Sequence, residues 1–372
     1  MSGGQRTDPI RSEGGWIARY AVYASIFAAW IALIFLVTGG AHDADWAAHW
    51  KQWDSHWYEE IWTGGYRTDP RLLVFPPGYA YLIGFLSRLF SAAFGAVAAM
   101  VNLVALFAAA ALIADWFAEQ FEVSSYAQFA FVLSAPAAYF AFASYSDAVF
   151  MLLVWVALWL ALSPRAPRGA TAVAAQSGLL LVLPWVRLTG YALATWLLER
   201  RAAALATFAS LAAWLAFNRT VSGDAFHFLR AQEIFAMPEG NFFSGLAWSF
   251  EQLVSNDLHD GYVASWLEFG LLPLLYLGAL TGTAIWLARR GQGLLALTAL
   301  SVLVLSHNQS VWRSVVRYDL PLVPVLSLPL LAGSGLLGNA RLGKVAFYAL
   351  LAGQLALQCW FARLFHAGAW AF

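Results

Sequence analysis

An aspartate set among tryptophans is the feature of this chain with the clearest chemical use. Tryptophans stand at Trp46, Trp50, Trp53 and Trp57, every three or four residues, which is the spacing of one helix face. Asp54 lies at the edge of that face, and Tyr58 is one turn further on. Indole rings stack on the apolar face of a pyranose. A carboxylate among them is partly desolvated and suited to general-base work. The same spacing also fits a plain anchor in a lipid headgroup layer, with the charges incidental.

A second group of residues carries charge where hydropathy disfavours it. Asp147 opens the run SYSDAVFMLLVWVAL, Arg187 interrupts PWVRLTGYAL, and Arg313 and Arg317 stand in VWRSVVRYDLPLVPVL. Ionisable groups at membrane depth are expensive and mark function by default. A guanidinium fork matches a phosphate, so Arg187, Arg313 and Arg317 are candidate phosphate ligands. The competing use is internal pairing, of Asp147 with Arg187 or of Asp319 with Arg317. Further along, Gly223-Asp224 reads as a cap before the helix AFHFLRAQ, with His227 and Gln232 available to a polar ligand. The simpler reading of that segment is an amphipathic helix on the membrane surface. His42-Asp43-Ala44-Asp45 offers too few groups, too close together, for a firm divalent-cation site and reads as a solvated loop start. No Walker motif, dinucleotide fingerprint or cysteine-based metal site is present.

The elements that must position these residues are membrane helices. Of 372 residues, 61% are hydrophobic and 11% charged, against roughly 25% charged in ordinary soluble domains. That much apolar surface requires lipid as solvent. The net charge of zero argues against a nucleic-acid partner. The single cysteine, Cys359, excludes an internal disulfide. The polar start MSGGQRTDPIRSEGGW lacks the features of a cleavable signal peptide, so the first apolar run is expected to be a retained helix.

Hydropathy predicts an all-α polytopic bundle of about 10–12 membrane helices in one domain, 1–372. The apolar runs are 17–38, 76–92, 97–117, 125–142, 147–163, 171–186, 188–199, 202–219, 268–288, 293–308, 318–335 and 345–363. The short-loop cations Arg165, Arg168, Arg200, Arg201, Arg289, Arg290, Arg341 and Lys344, with Arg19 at the first helix, fall on one face, which is therefore cytoplasmic. Two large segments, 39–75 and 220–267, then lie outside, the first with an amphipathic helix. Helix parity requires that one of 76–92, 97–117 and 125–142 not span. The run 76–92 is the candidate, because it opens with Phe75-Pro76-Pro77-Gly78 and carries Arg88. The run 188–199 is short and is expected to form a broken pair with 171–186 around Pro184.

The polar segments have a familial look. Trp53-Asp54-Ser55-His56-Trp57-Tyr58, with Ile61 and Gly65-Tyr66, resembles the first luminal loop of PIG-V-like mannosyltransferases. Phe75-Pro76-Pro77-Gly78-Tyr79 resembles that family's Phe-Pro-x-Tyr stretch with one extra residue. Ser144-Tyr145-Ser146-Asp147 with Phe150 resembles its Tyr-Ser/Thr-Glu-x-x-Phe motif, with aspartate for glutamate. Arg187 to Gly190 resembles its Arg-x-x-Gly segment, and Gly223-Asp224 with Ala231-Gln232 its Gly-Asp…Ala-Gln segment. Arg317-Tyr318 with Pro321 and Pro324 resembles its late Arg-Tyr-x-x-Pro-x-x-Pro motif.

The resemblance implies a GT-C type fold and transfer of a sugar, mannose in the family, from a polyprenyl- or dolichyl-phosphate donor to a lipid or glycolipid acceptor. The reaction would take place on the periplasmic, extracellular or luminal face. In that scheme Asp54 is the base of an inverting transfer, and Arg187, Arg313 and Arg317 hold the donor phosphate. Asp147 orients an arginine or a sugar hydroxyl, and Trp57 and Tyr58 line the acceptor side. Trp53, Tyr145, Asp224, Gln232 and Tyr318 complete the expected substrate contacts. No cofactor and no divalent metal are expected beyond the lipid-phosphate sugar itself. The competing class is a transporter or flippase of lipid-linked sugars, for which inverted repeats would speak; none is evident.

Overall fold

In a computed structural model of the chain, the description covers residues 13–40, 42–198, 201–231, 240–254, 266–309, 312, 314–332 and 339–369. All regular structure among them is helical. In chain order the α-helices are α1 (Glu13–Val37), α2 (Ser55–Gly64), α3 (Pro77–Phe90), α4 (Phe94–Phe121), α5 (Ser125–Ser134), α6 (Asp147–Leu162), α7 (Ala170–Val186) and α8 (Arg201–Ser222). They continue as α9 (His227–Arg230), α10 (Phe242–Val254), α11 (Leu272–Arg289), α12 (Gly293–His307), α13 (Val315–Tyr318), α14 (Leu328–Leu331) and α15 (Ala340–His366).

Among the described residues, four helices are long and apolar enough to cross a bilayer: Gly15–Val37, Phe94–Phe121, Trp266–Arg289 and Arg341–His366. The 28 residues of α4 extend about 42 Å, against roughly 30 Å of hydrocarbon. Four shorter apolar helices accompany them, Asp147–Leu162, Ala170–Val186, Gly293–His307 and Leu320–Leu331. The faces turned away from the core carry large apolar side chains, among them Leu36, Phe85, Met100, Leu205 and Phe208. Such faces fit a lipid surround better than water. Inside, α4 packs on α5 and α6, α7 on α8, and α11 on α12. Buried Ala98, Ala105, Ala109 and Ala110 keep the surface of α4 low enough for close helix approach.

The run 76–92, the candidate for not spanning, forms the single helix α3, whose 14 residues reach about 21 Å, too short to cross. Other apolar runs are not the single helices that hydropathy predicts. The run 125–142 is broken: α5 stops at Ser134 and a 3-10 turn follows over Ala138–Phe142. The cause is Pro136, which forces Ala135 out of the helical region to ψ 131°. The run 318–335 divides into α13, a 3-10 segment Leu320–Ser327 and α14. In a 3-10 turn the carbonyl of Pro321 would receive the amide of residue 324, but that residue is proline and has none. The indole Nε1 of Trp155 on α6 donates to it instead, at 2.8 Å. The Pro324 carbonyl accepts from Gln128 Nε2 at 3.0 Å and from Ser327 Oγ at 2.8 Å.

The expected break near Pro184 falls three residues later. Helix α7 runs through Pro184 to Val186, Arg187 is extended (φ −157°, ψ 134°), and a 3-10 segment Leu188–Leu198 folds back along α7. Two glycines permit this crowding. A Cβ on Gly190 would lie 2.7 Å from the Leu183 carbonyl carbon, and one on Gly78 would lie 2.6 Å from the Trp185 carbonyl oxygen.

Gly78→Ala should therefore lower the stability of the detergent-solubilised protein by about 1–3 kcal/mol, since the blocking atom is backbone and cannot turn aside. Gly178→Ala, where nothing lies within 4 Å of the added carbon, is the matched control and should leave the melting temperature unchanged or raised.

Candidate functional site

Asp54 immediately precedes α2. The residue before it, Trp53, has φ 51°, a left-handed conformation that costs a bulky residue about 1–3 kcal/mol. That turn directs the Asp54 amide to the Tyr145 hydroxyl, to which it donates at 3.1 Å. Tyr145 is fixed from below: Asn102, fully buried on α4, reaches the carbonyls of Ala143 and Tyr145 at 2.8 and 2.9 Å and the Tyr79 hydroxyl at 3.0 Å.

The Asp54 carboxylate faces Arg317. Its Oδ2 lies 3.4 Å from Arg317 Nη2, with the aspartate side chain 20% exposed and the arginine 4%. The guanidinium carbon stands 4.8 Å from the Tyr145 ring, 5.1 Å from Tyr318 and 5.5 Å from Phe140, within cation–π range of all three. Nη2 also donates to the Tyr318 hydroxyl at 3.4 Å. The two other guanidinium nitrogens, Nε and Nη1, are buried and meet no acceptor among the described residues. Burial opposes the charge of Arg317, but Tyr318, Asp147 and Asp54 more than offset it, so the group stays protonated.

A second ion pair stands beside the first. Arg187, in the break after α7, pairs with Asp147 in the first turn of α6. Its guanidinium lies 4.5 Å above the Tyr318 ring, so that ring is shared by two cations. Asp147 Oδ2 is buried and meets no hydrogen-bond donor among the described residues. Tyr58 on α2 closes the side of the cluster, its hydroxyl 3.2 Å from Ser146 Oγ. Burial pushes the Tyr58 phenol up to about 12, so it stays neutral.

Asp54, Tyr58, Tyr145, Asp147, Arg187, Arg317 and Tyr318 thus converge from four parts of the chain. Of the internal pairings weighed above, Asp147 with Arg187 forms. Asp319 does not pair with Arg317; it accepts from Ser306 Oγ at 2.6 Å and lies 3.8 Å from His307 Nε2. The other expected site residues divide. Trp53 is 40% exposed at the edge of the cluster, and Trp57 is half-buried against His56, ring centroids 4.0 Å apart. Asp224 is bound within its own segment, pairing with Arg230 and accepting from the Phe226 amide at 3.2 Å. Arg313 and Gln232 lie outside the described residues.

The continuous tryptophan face is not formed. Residues 48–50 make a 3-10 turn, residues 51–54 a turn, and the helix starts only at Ser55. Trp50 is buried against Phe142 and Phe365, centroids 5.2 and 5.9 Å away, and Trp46 donates its indole N–H to Thr38 Oγ1 at 2.7 Å. Both rings pack inward rather than lying as a flat headgroup anchor. A cavity of about 430 Å³ opens among Thr38, His42, Asp43, His49, Gln52 and His366, and neither Arg187 nor Arg317 lines it. The contribution of Asn102 was not anticipated, although a lone amide inside the run 97–117 is a visible signal of a buried polar contact.

Chemically, the cluster offers a half-accessible carboxylate beside a buried cation with two uncommitted donors. It can accept a proton at Asp54 and bind an anion at Arg317. No protein-family model, no curated protein and no solved structure matches the chain.

The Asp147–Arg187 pair should be tightly coupled. Arg187→Met, which strands a buried carboxylate, is expected to destabilise the protein by about 3–5 kcal/mol, and the double variant Asp147→Leu/Arg187→Met to recover most of that loss. Unfolding of detergent-solubilised protein measures both. Additive losses in the double variant would mean that the two charges do not support each other.

Proposed function

We propose that this chain is a multi-pass membrane glycosyltransferase of GT-C type. It transfers a sugar, mannose on the resemblance to PIG-V-like enzymes, from a polyprenyl-phosphate donor to a lipid or glycolipid hydroxyl on the non-cytoplasmic face. The observation that carries this reading is the Asp54–Arg317 contact, with the Nε and Nη1 donors of Arg317 unmatched by acceptors among the described residues.

In the proposed reaction Asp54 accepts the proton of the acceptor hydroxyl as its oxygen attacks the anomeric carbon. The bond from that carbon to the donor phosphate breaks on the opposite side, so the configuration inverts and polyprenyl phosphate leaves. Arg317 binds the phosphate through Nε and Nη1 and stabilises the charge that grows on it. Nη2 remains on Asp54, 3.4 Å from its Oδ2. Arg187 adds positive potential across the Tyr318 ring, and Asp147 holds it in place. A phosphate leaving group needs no proton, so one carboxylate suffices.

Detergent-solubilised protein incubated with polyprenyl-phosphate-mannose and mixed lipid acceptors should release polyprenyl phosphate and add a hexose mass to an acceptor. Movement of the donor across reconstituted vesicles without product would identify a transporter instead. Asp54→Asn should reduce turnover by about 10²–10⁴-fold and leave donor binding within a few-fold. Normal turnover by that variant removes Asp54 from the base role. Arg317→Ala should weaken donor binding by about 10–100-fold, the loss of one or two charge-assisted hydrogen bonds. If it raised only the acceptor's Michaelis constant, the phosphate would be bound elsewhere.

A further inference from the structure

The end of α15 meets the first loop at a cluster of ionisable side chains that the charged quartet does not use. His366, the last residue of α15, is buried, and Asp43 and His49 from the loop are half-buried beside it. His49 Nδ1 lies 3.2 Å from Asp43 Oδ2, and the two imidazole rings are 4.7 Å apart between centroids. One ligating atom from each of the three residues lies within 4.8 Å of the other two.

We propose that Asp43, His49 and His366 form a binding site for a divalent transition-metal ion of the zinc class, which ties the C-terminal end of α15 to the loop that carries Asp54. Two neutral imidazoles and one carboxylate are a donor set that Zn²⁺ takes, with a fourth position left for water. Bonds of about 2.0–2.2 Å in a tetrahedron give ligand edges of about 3.3–3.5 Å. The Asp43–His49 edge already has that length, and the widest separation, within 4.8 Å, has to close by about 1 Å, within the reach of a side-chain rotation.

Neighbouring groups have arranged the ligands. His366 Nε2 is 3.1 Å from the Trp46 carbonyl, which takes the Nε2 proton and leaves Nδ1 with a lone pair. Metal-bound histidines are oriented through their other ring nitrogen in this way. Asp43 Oδ1 accepts from the Asp45 amide at 2.9 Å, which leaves Oδ2 directed at His49. The cluster opens on the 430 Å³ cavity, where Thr38, His42 and Gln52 also stand, so the fourth position has room for water. An unmetallated His49–Asp43 ion pair would satisfy those two residues, but it makes no use of His366 Nδ1. The site takes no part in the transfer step and stands or falls apart from it.

The test uses the full-length protein in detergent, stripped with EDTA and titrated with Zn²⁺. Wild-type protein is expected to retain one equivalent after desalting, measured by elemental mass spectrometry, and to melt several degrees higher when loaded. His49→Ala and His366→Ala should each weaken Zn²⁺ more than about 100-fold, while His42→Ala and Cys359→Ser should bind as wild type does. Less than one equivalent in the wild type, or unchanged affinity in His49→Ala and His366→Ala, overturns the proposal. If those variants do not fold, X-ray absorption on zinc-loaded wild type decides. A nitrogen/oxygen shell with two imidazoles is expected, and fewer than two sinks the assignment.

Discussion

Four charges held together in an apolar surround constrain most of what this protein does with its chain. Removing one carboxylate or guanidinium from water costs several kcal/mol even after the protein relaxes. Each charge therefore needs an opposite one within reach, and two of the partnerships join residues 40 and 263 positions apart. The requirement binds the first loop, the start of α6, the end of α7 and the turn before the proline-rich segment into one unit. Tyr318 completes it, because its ring lies against both guanidinium groups. None of these segments can shift without exposing or stranding a charge in another.

The charges sit where regular helices stop. Asp54 follows a left-handed tryptophan, Arg187 occupies the extended residue after α7, and Arg317 lies in a one-turn helix ahead of a 3-10 stretch. Irregular backbone at membrane depth is tolerable only where protein or a cavity satisfies its polar groups. Here that role falls to buried side chains far away in sequence. Trp155 supplies the donor that the Pro321 carbonyl lacks locally, Gln128 adds a second donor to the Pro324 carbonyl, and Asn102 holds the carbonyls beside Tyr145. These contacts make the interruption of the helices a stable arrangement and place Arg317 and Tyr145 opposite Asp54.

The first loop divides into two functional halves. Its early part, with Trp46, Trp50 and His49, packs against Phe365 and His366 at the end of α15. Its later part, from Trp53 to Tyr58, turns towards the charged quartet. Only Lys51 and Gln52 separate the halves, so the C-terminal helix restrains the position of Asp54 although it contributes no charge to the cluster. A sugar-transfer reading of the cluster draws on this rigidity, since a base must be held within hydrogen-bond reach of the proton it accepts.

Apolar run length and composition alone determined that the chain is helical and which stretches avoid water, because burial of apolar surface follows local residue type. The special residues were legible for the same reason: a charge inside an apolar run, such as Asp147 or Arg187, stands out from its neighbours. The break after Ser134 was legible too, in Pro136, although run length outweighed it. What the sequence could not decide was pairing. Asp319 lies closer to Arg317 in the chain than Asp54 does, yet it bonds Ser306, and Asp54 takes the arginine. Nor could helical spacing reveal that the four tryptophans would be divided by a left-handed turn and packed in different directions. Periodicity and hydropathy are read over a few residues, whereas a buried charge or an unmatched proline carbonyl is satisfied by whichever group the whole fold brings within about 3 Å. Only the tertiary structure decides which group that is.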